Sequence, residues 1–406
     1  MSIQSESLKM PSARKPYSVL SLFCGAGGLD LGFEAEGFRL LESLDINPWC
    51  VKTLQKNRPE WKVILGDIHS YHPNLANSPD ILLAGVPCQG FSLGGNRQED
   101  DQRNLLYKEV IRVTQICQPR VVLIENVLNL RTMKSPETKR LFIDQIVGEL
   151  QQIGYTGFYD IFKVCHYGVS KTRRRLVFIG FIDGKIPLGY CLPKPGKLTT
   201  IRDFLYNLAQ GKLTDLPNHN PQWGFKSTVH IETGEKLSIN EEVVPVRLSR
   251  TASDGNPIRS FDAPFPAIDT ATIWGWAQGN VVAARYPKDR VNGKFVRNSQ
   301  ANVTLWRIKA SRIRPFTHRE YARLQTFPDD WLFIGGNKRD VHLQIGNAVP
   351  VIFANHLARN IRIALECLDQ GLPFQDENDV RERIEASTQT DGRNKPNSRF
   401  VQLSLF

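Results

Sequence analysis

The chain contains no run of about 18 apolar residues, which excludes a bilayer-spanning helix. Its first residues, MSIQSESLKMPSARKP, lack the apolar core of a secretory signal and are expected to form a disordered leader over 1–16. Cysteine is sparse: seven among 406 residues, an odd number with no CxxC pair. That argues against a disulfide framework and a zinc knuckle, so no metal is expected and a reducing cytoplasm is. Acidic residues fall short of basic ones, 41 against 52, leaving a formal charge of +11 and an isoelectric point near 9.3. A surplus of this sign favours a polyanionic partner. The remainder, 41% hydrophobic and 23% charged, is ordinary globular composition, in a chain long enough for one large domain and a smaller one.

DILL (80–83) reads as a buried strand, and AGVPCQGFS (84–92) carries Cys88 from it into a loop, a common place for reacting groups in open α/β sheets. Pro87 fixes its own φ, while Gly85 and Gly90 let the flanking backbone turn sharply. Cys88 is thus a candidate nucleophile, although a free cysteine is equally a small buried apolar residue.

Upstream, YSVLSLF (17–23) is predicted to be a strand that ends in the glycine turn CGAGG and passes into the helical pattern LDLGFEAEGF. The spacing is not GxGxxG, yet such a turn lets backbone N–H groups approach a ligand closely. RLLESLD (39–45) is a second strand ending in Asp45, where a carboxylate can accept from both hydroxyls of a ribose. KVILGDI (62–68) repeats the pattern with Asp67. Either aspartate alone reads as a helix N-cap; together, after the glycine turn, they read as a nucleoside pocket.

LLYKEVIRVTQIC (105–117) has helical amphipathicity, and RVVLIEN (120–126) is a strand ending in Glu125 beside the cysteine's strand. In an apolar cleft that carboxyl would titrate high enough to give as well as accept a proton; the competing reading is a structural pair with an arginine. SPETKRLFIDQIVGELQQIG (135–154) is predicted to be a helix capped by Ser135. TGFYDIFKVCHY and RRLVFIGFI are strands flanking GVSKTRRR (168–175), whose arginines suit an anion or a carbonyl oxygen, or are simply solvated. The expected fold is a doubly wound, Rossmann-like α/β domain.

From Pro187 the chain becomes rich in Pro, Gly and Asn, without clear helical periodicity, and is expected to form a smaller, irregular β-rich domain. Trp223, Trp274 and Trp276 amid basic residues suit either a nucleic-acid surface or that domain's core. Thr317 with Glu320 forms a capping box, and IGNAVP (345–350) leads into an amphipathic helix expected to return to the first domain. The expected division is leader 1–16, first part of the catalytic domain 17–186, second domain 187–310, hinge and return helix 311–368, and flexible tail 369–406.

FCGAGG (23–28), GDI (66–68), VPCQGFS (86–92), DQRNLL (101–106), ENV (125–127), TRRR (172–175), REYARLQTFP (319–328) and GNAVP (346–350), in this order and spacing, resemble the DNA cytosine-5 methyltransferase family. The resemblance runs from Tyr17 to about Cys367 and puts the family's target recognition domain in the segment between TRRR and REYARLQTFP. It implies S-adenosyl-L-methionine (SAM) as cofactor and carbon 5 of a cytosine flipped out of double-stranded DNA as target. It implies Cys88 as nucleophile at carbon 6, Glu125 at ring nitrogen 3 and the exocyclic amine, Arg175 at the cytosine carbonyl, and Arg173 beside Cys88 and a phosphate. Phe23, Gly25 and Gly27 are implied at the methionine side of SAM, Asp45 at its ribose, Asp67 and Ile68 at its adenine, and Pro87 and Asn347 elsewhere on the pocket. Gln89, Ser92, Arg97 and Arg103 are implied DNA contacts, the arginines on a lid around Gly94 and Gly95. The chain departs from the family pattern at Ser170 and Lys171, where Pro and Gln are usual, which bears on orientation more than on activity.

Gln402, Leu403, Leu405 and Phe406, with Ser404 between them, are similar to the peptide that docks on bacterial replication sliding clamps; a terminal strand on the protein's own sheet is the alternative. The expected setting is a bacterial monomer in the cytoplasm, beside a restriction endonuclease or tied to replication as a maintenance enzyme. An RNA (tRNA) cytosine-5 methyltransferase and a catalytically inert DNA-binding relative are the competing readings.

Overall fold

Seven strands form the central sheet of the structure, a computed structural model that describes residues 16–74, 78–87, 105–135, 138–211, 215–223, 235–239, 243–248, 258–268, 273–279, 281–286 and 305–374. They are β1 (Ser18–Leu22), β2 (Arg39–Asp45), β3 (Val63–Leu65), β4 (Ile81–Gly85), β5 (Val121–Val127), β6 (Tyr155–Lys163) and β7 (Arg174–Ile182), in the order β3-β2-β1-β4-β5-β7-β6. β1 to β5 run parallel, and β7 lies antiparallel between β5 and β6. β1, β4 and most of β5 are buried, as strands covered on both faces must be, which is why they read as unbroken apolar runs.

Helices α1 (Gly28–Ala35), α2 (Pro48–Asn57), α3 (Leu106–Cys117) and α4 (Phe142–Gln152) connect these strands. Val110, Ile143 and Ile146 pack with Leu20, Leu82 and Ile124 in one core layer. In another, Phe33, Val19, Leu83 and Leu123 meet Phe353 and Leu357 of α8 (Val351–Gln370). α8 and α1 approach closely because α1 carries glycine at the crossing: a Cβ on Gly32 would sit 2.4 Å from that of Ala354. Strand order reverses between β1 and β4, and a crevice at their carboxyl ends is the consequence of that topology.

The second region holds α5 (Ile201–Ala209) and two three-stranded antiparallel sheets. One contains β9 (Val243–Arg247), β10 (Trp274–Gln278) and β13 (Arg312–Pro315); the other contains β8 (Glu235–Ile239), β11 (Val281–Tyr286) and β12 (Leu305–Lys309). α6 (His318–Leu324) and α7 (Lys338–Asn347) then lead to α8. Trp274 and Trp276 are core residues, packed with Leu205, Leu208 and Phe316, which removes them from any nucleic-acid surface. Trp223 packs on the same cluster with the Arg314 guanidinium over its ring.

Three local expectations need correction. α5 occupies a stretch read as loops and strands: Thr200 and Asp203 cap it, and Ile201, Leu205 and Leu208 form its apolar stripe. α7 was not foreseen either, and Asn337 with Asp340 starts it. Ser135 does not cap α4. Lys134 bridges to Leu141, and the helix begins only at Phe142, because the polar run between them offers no face to bury.

Candidate active site

The turn after β1 is bound to the end of β2. Cys24 N–H donates to the Leu44 carbonyl at 3.1 Å and Gly25 N–H to Asp45 Oδ2 at 2.8 Å. Gly25 and Gly27 take left-handed backbone, φ 56° and 84°, which glycine adopts without strain. Asp45 Oδ1 accepts from Asn47 N–H at 2.8 Å, so each carboxylate oxygen holds one donor and keeps capacity for another. Burial raises the Asp45 carboxyl, opposed by these backbone N–H groups.

Around the turn lies a cavity of about 290 Å³. Phe23, Gly25, Asp45 and Ile46 line it, as do Pro87, Glu125, Arg173, Arg175 and Asn347. The topology explains the gathering: β4 and β5 are parallel neighbours whose carboxyl ends carry Pro87 and Glu125 to one rim, and antiparallel β7 brings its first residues back to it, Arg175 pairing with Val127.

Glu125 is 7% exposed and Arg175 4%. Glu125 Oε1 lies 2.5 Å from Arg175 Nε, yet neither atom has an aligned hydrogen-bond partner. The contact is a pairing of charges that leaves Glu125 Oε1 without a hydrogen bond. Burial pushes the Glu125 carboxyl above its ordinary range, and the Arg175 guanidinium only partly opposes this. Arg173 is anchored through Nη1 to the Gly346 carbonyl at 2.6 Å.

Three described candidates do not line the cavity. Gly27 caps α1, where a Cβ would meet Leu54 at 2.5 Å. Asp67 is half exposed, accepting from His69 N–H at 3.0 Å to cap the short turn Ile68–Ser70. Ile68 is buried in the core layer under α3. Cys88, Gln89, Ser92, Arg97, Arg103, Gln402, Leu403, Leu405 and Phe406 lie outside the described residues. Sequence reasoning missed Ile46, Cys24, Cys50 and Gln344, which also line the cavity. Ile46 left a signal: an isoleucine next to a strand-ending aspartate has no core to enter, and it is 67% exposed. Burial raises the Cys24 and Cys50 thiols, which makes both poor nucleophiles.

Residues 17–362 match the family of C-5 cytosine-specific DNA methylases. The chain belongs to that family. It is similar to the Type II methyltransferase M.PspPI of Psychrobacter sp., 31% identical over 354 residues that cover 86% of this chain and 79% of that protein. M.Eco47II of Escherichia coli is also 31% identical, over 348 residues covering 82% and 76%. In fold the chain resembles the Dnmt2 methyltransferase of S. pombe, with a TM-score of 0.52 at 17% identity, covering 87% of this chain and 99% of that one.

As a C-5 cytosine methylase the chain transfers a methyl group from SAM to cytosine in DNA. Its cavity fits that cofactor: a glycine turn that lets a ligand approach the backbone closely, a buried carboxylate with spare acceptor capacity, and an exposed apolar side chain on the rim. Among the described residues no cluster could hold a metal ion, and no helix is long and apolar enough to cross a membrane.

Proposed function

We propose that the 290 Å³ cavity is where SAM and a flipped cytosine meet, with Cys88 as nucleophile. One observation carries this: a single cavity joins the Asp45 and Gly25 end to the Glu125 and Arg175 end, with Pro87, the residue before Cys88, on its wall.

Carbon 5 of cytosine is a poor nucleophile until the ring is activated. The Cys88 thiolate forms a bond to carbon 6, and the displaced electron density runs toward carbon 5 and ring nitrogen 3. Glu125 supplies the proton at nitrogen 3, and burial, which raises its carboxyl, favours the protonated form that can give it. Arg175 faces the ring carbonyl, and Arg173 supports Cys88 and a nearby phosphate. SAM supplies the methyl group that carbon 5 takes. A base then takes the proton from carbon 5 as the sulfur–carbon bond breaks, and nitrogen 3 returns its proton to Glu125, which frees the enzyme. Asp45 accepts from the ribose hydroxyls of SAM, Phe23, Gly25 and Ile46 bound its pocket, and Asn347 closes it. Gln89, Ser92, Arg97 and Arg103 contact DNA.

Residues 187–310 read the target sequence, and the basic surplus of the chain supports a phosphate-bearing partner. The enzyme works as a monomer in the bacterial cytoplasm, within a restriction-modification pair or at the replication fork. Residues 402–406 tether it to the sliding clamp, a reading supported by the match of QLSLF to clamp-docking peptides. Deleting those five residues should abolish binding to purified clamp, and unchanged binding would refute the tether.

Cys88→Ala should lose methylation of duplex DNA while calorimetry still detects SAM binding. Wild-type protein should form a covalent adduct with 5-fluorocytosine DNA. Normal turnover in the variant would sink the nucleophile assignment, and activity on tRNA with none on duplex DNA would redirect the substrate.

A further inference from the structure

The segment leading into β7 crosses a seam between three parts of the chain. Thr172 N–H donates to the Phe265 carbonyl at 2.8 Å and Phe265 N–H to the Ser170 carbonyl at 2.5 Å, which pairs this segment with the second region. Lys171 lies between them with its side chain wholly buried. Its Nζ donates to Gln325 Oε1, immediately after α6. Gln325 is equally buried and turns its amide nitrogen to the carbonyls of Ile345 at 2.6 Å and Ala348 at 3.2 Å. Those two residues bracket Gly346 and Asn347, and Gly346 is the anchor of Arg173. Arg173 and Asn347 line the cavity; Lys171 does not.

We infer that Lys171 is a positioning residue: through Gln325 it sets where Arg173 and Asn347 stand on the cavity wall. This rests on the cavity being the methylation site. An acceptor aimed at Lys171 obliges the Gln325 carboxamide to present its N–H groups to residues 345–348, so the orientation of one side chain fixes a whole turn. The amine acts without charge. An ammonium would bring three N–H donors to one carboxamide oxygen in a closed core, with no carboxylate paired to it among the described residues, and burial together with Arg175 pushes its pKa well below the ordinary lysine value.

The test uses the full-length protein. Lys171→Met keeps the volume and removes the donor; turnover on duplex DNA should fall about tenfold while KM for DNA stays within about twofold. Lys171→Gln, which restores an N–H donor, should recover at least about half of the lost rate. Gln325→Glu keeps an acceptor for Lys171 but loses the donors to residues 345–348, and should match Lys171→Met; it also serves if that variant does not fold. Wild-type turnover in Lys171→Met or Gln325→Glu, or equal loss in Lys171→Met and Lys171→Gln, would overturn the relay.

A melting series judges the amine apart from methylation. A lysine whose pKa is depressed by folding makes stability rise with pH toward about 10.4, because the unfolded chain binds the extra proton below that value. Wild type should show this rise relative to Lys171→Gln, and parallel melting profiles would overturn the uncharged amine. If even wild type fails to methylate any DNA, the site assignment falls while the melting series still decides Lys171.

Discussion

Among the described residues stand two buried glutamate–arginine pairs, one in the cavity and one at the junction of the second region, and they are built to opposite ends. Glu320 is wholly buried and its carboxylate accepts from four donors: Arg314 Nη1 at 2.8 Å and Nη2 at 2.7 Å, Trp276 Nε1 at 2.7 Å, and Thr317 N–H at 2.7 Å. Glu125 meets one guanidinium without an aligned hydrogen bond. A carboxylate whose acceptor sites are all taken locks β10 and β13 to α6, and has nothing left for a ligand. A carboxylate left hungry on a cavity wall is costly to the fold and useful to chemistry. Hydrogen-bond saturation therefore separates the structural pair from the one we propose for catalysis, which burial alone does not.

Variants can break this contrast. The largest effect belongs to Glu125→Ala, which should lower turnover by about a thousandfold, within the range expected for a positioned acid–base group. Its thermal stability should change little, because Arg175, its charge partner among the described residues, lines the cavity. Glu320→Ala should do the reverse. It strands Arg314 in the core and should destabilise the protein by about 3–5 kcal/mol, read by denaturant titration. A turnover loss in both variants with no stability difference between them would erase the distinction. Between these and the smallest effect stands Asp45→Asn, which keeps one carbonyl oxygen but gives up an acceptor. Affinity for SAM should drop about tenfold by calorimetry, with turnover at saturating SAM within about threefold of wild type.

Much of this contrast was legible in the sequence, for physical reasons that differ by region. β1, β4 and β5 are buried on both faces, so their apolar runs announced them, and the carboxyl ends of β2 and β5 named Asp45 and Glu125. The Thr317–Glu320 capping box was legible because both partners are three residues apart. What Glu320 does next was not: its bonds to Trp276 and Arg314 depend on how β10 and β13 fold over α6, which no local pattern records. The cap made by Asp67 was not legible for a similar reason. A strand-end aspartate can cap the turn that follows or face a ligand, and only the path of the chain toward His69 selects the cap. α5 shows a stripe that was present but masked by the surrounding Pro and Gly.

The finest test of the contrast lies in stability rather than rate. Burial raises the Glu125 carboxyl against the pull of Arg175, so the folded protein holds a proton there more tightly than the unfolded chain does. Such a group favours the folded state at low pH and penalises it once pH exceeds the ordinary glutamate value of about 4.3. Glu125→Gln removes the titration and keeps the shape, so it should stabilise the protein at pH values above the folded-state pKa, where wild type bears the buried charge. The gain should shrink as pH falls through the folded-state pKa toward 4.3, where both proteins present a neutral side chain. Glu320→Gln should show no such gain, since an amide nitrogen would replace an oxygen that accepts from Arg314 and a second donor, Trp276 or Thr317. Melting curves of the two glutamine variants across that pH range therefore read the difference between the pairs directly. A stabilised Glu320→Gln beside an unchanged Glu125→Gln would reverse their roles.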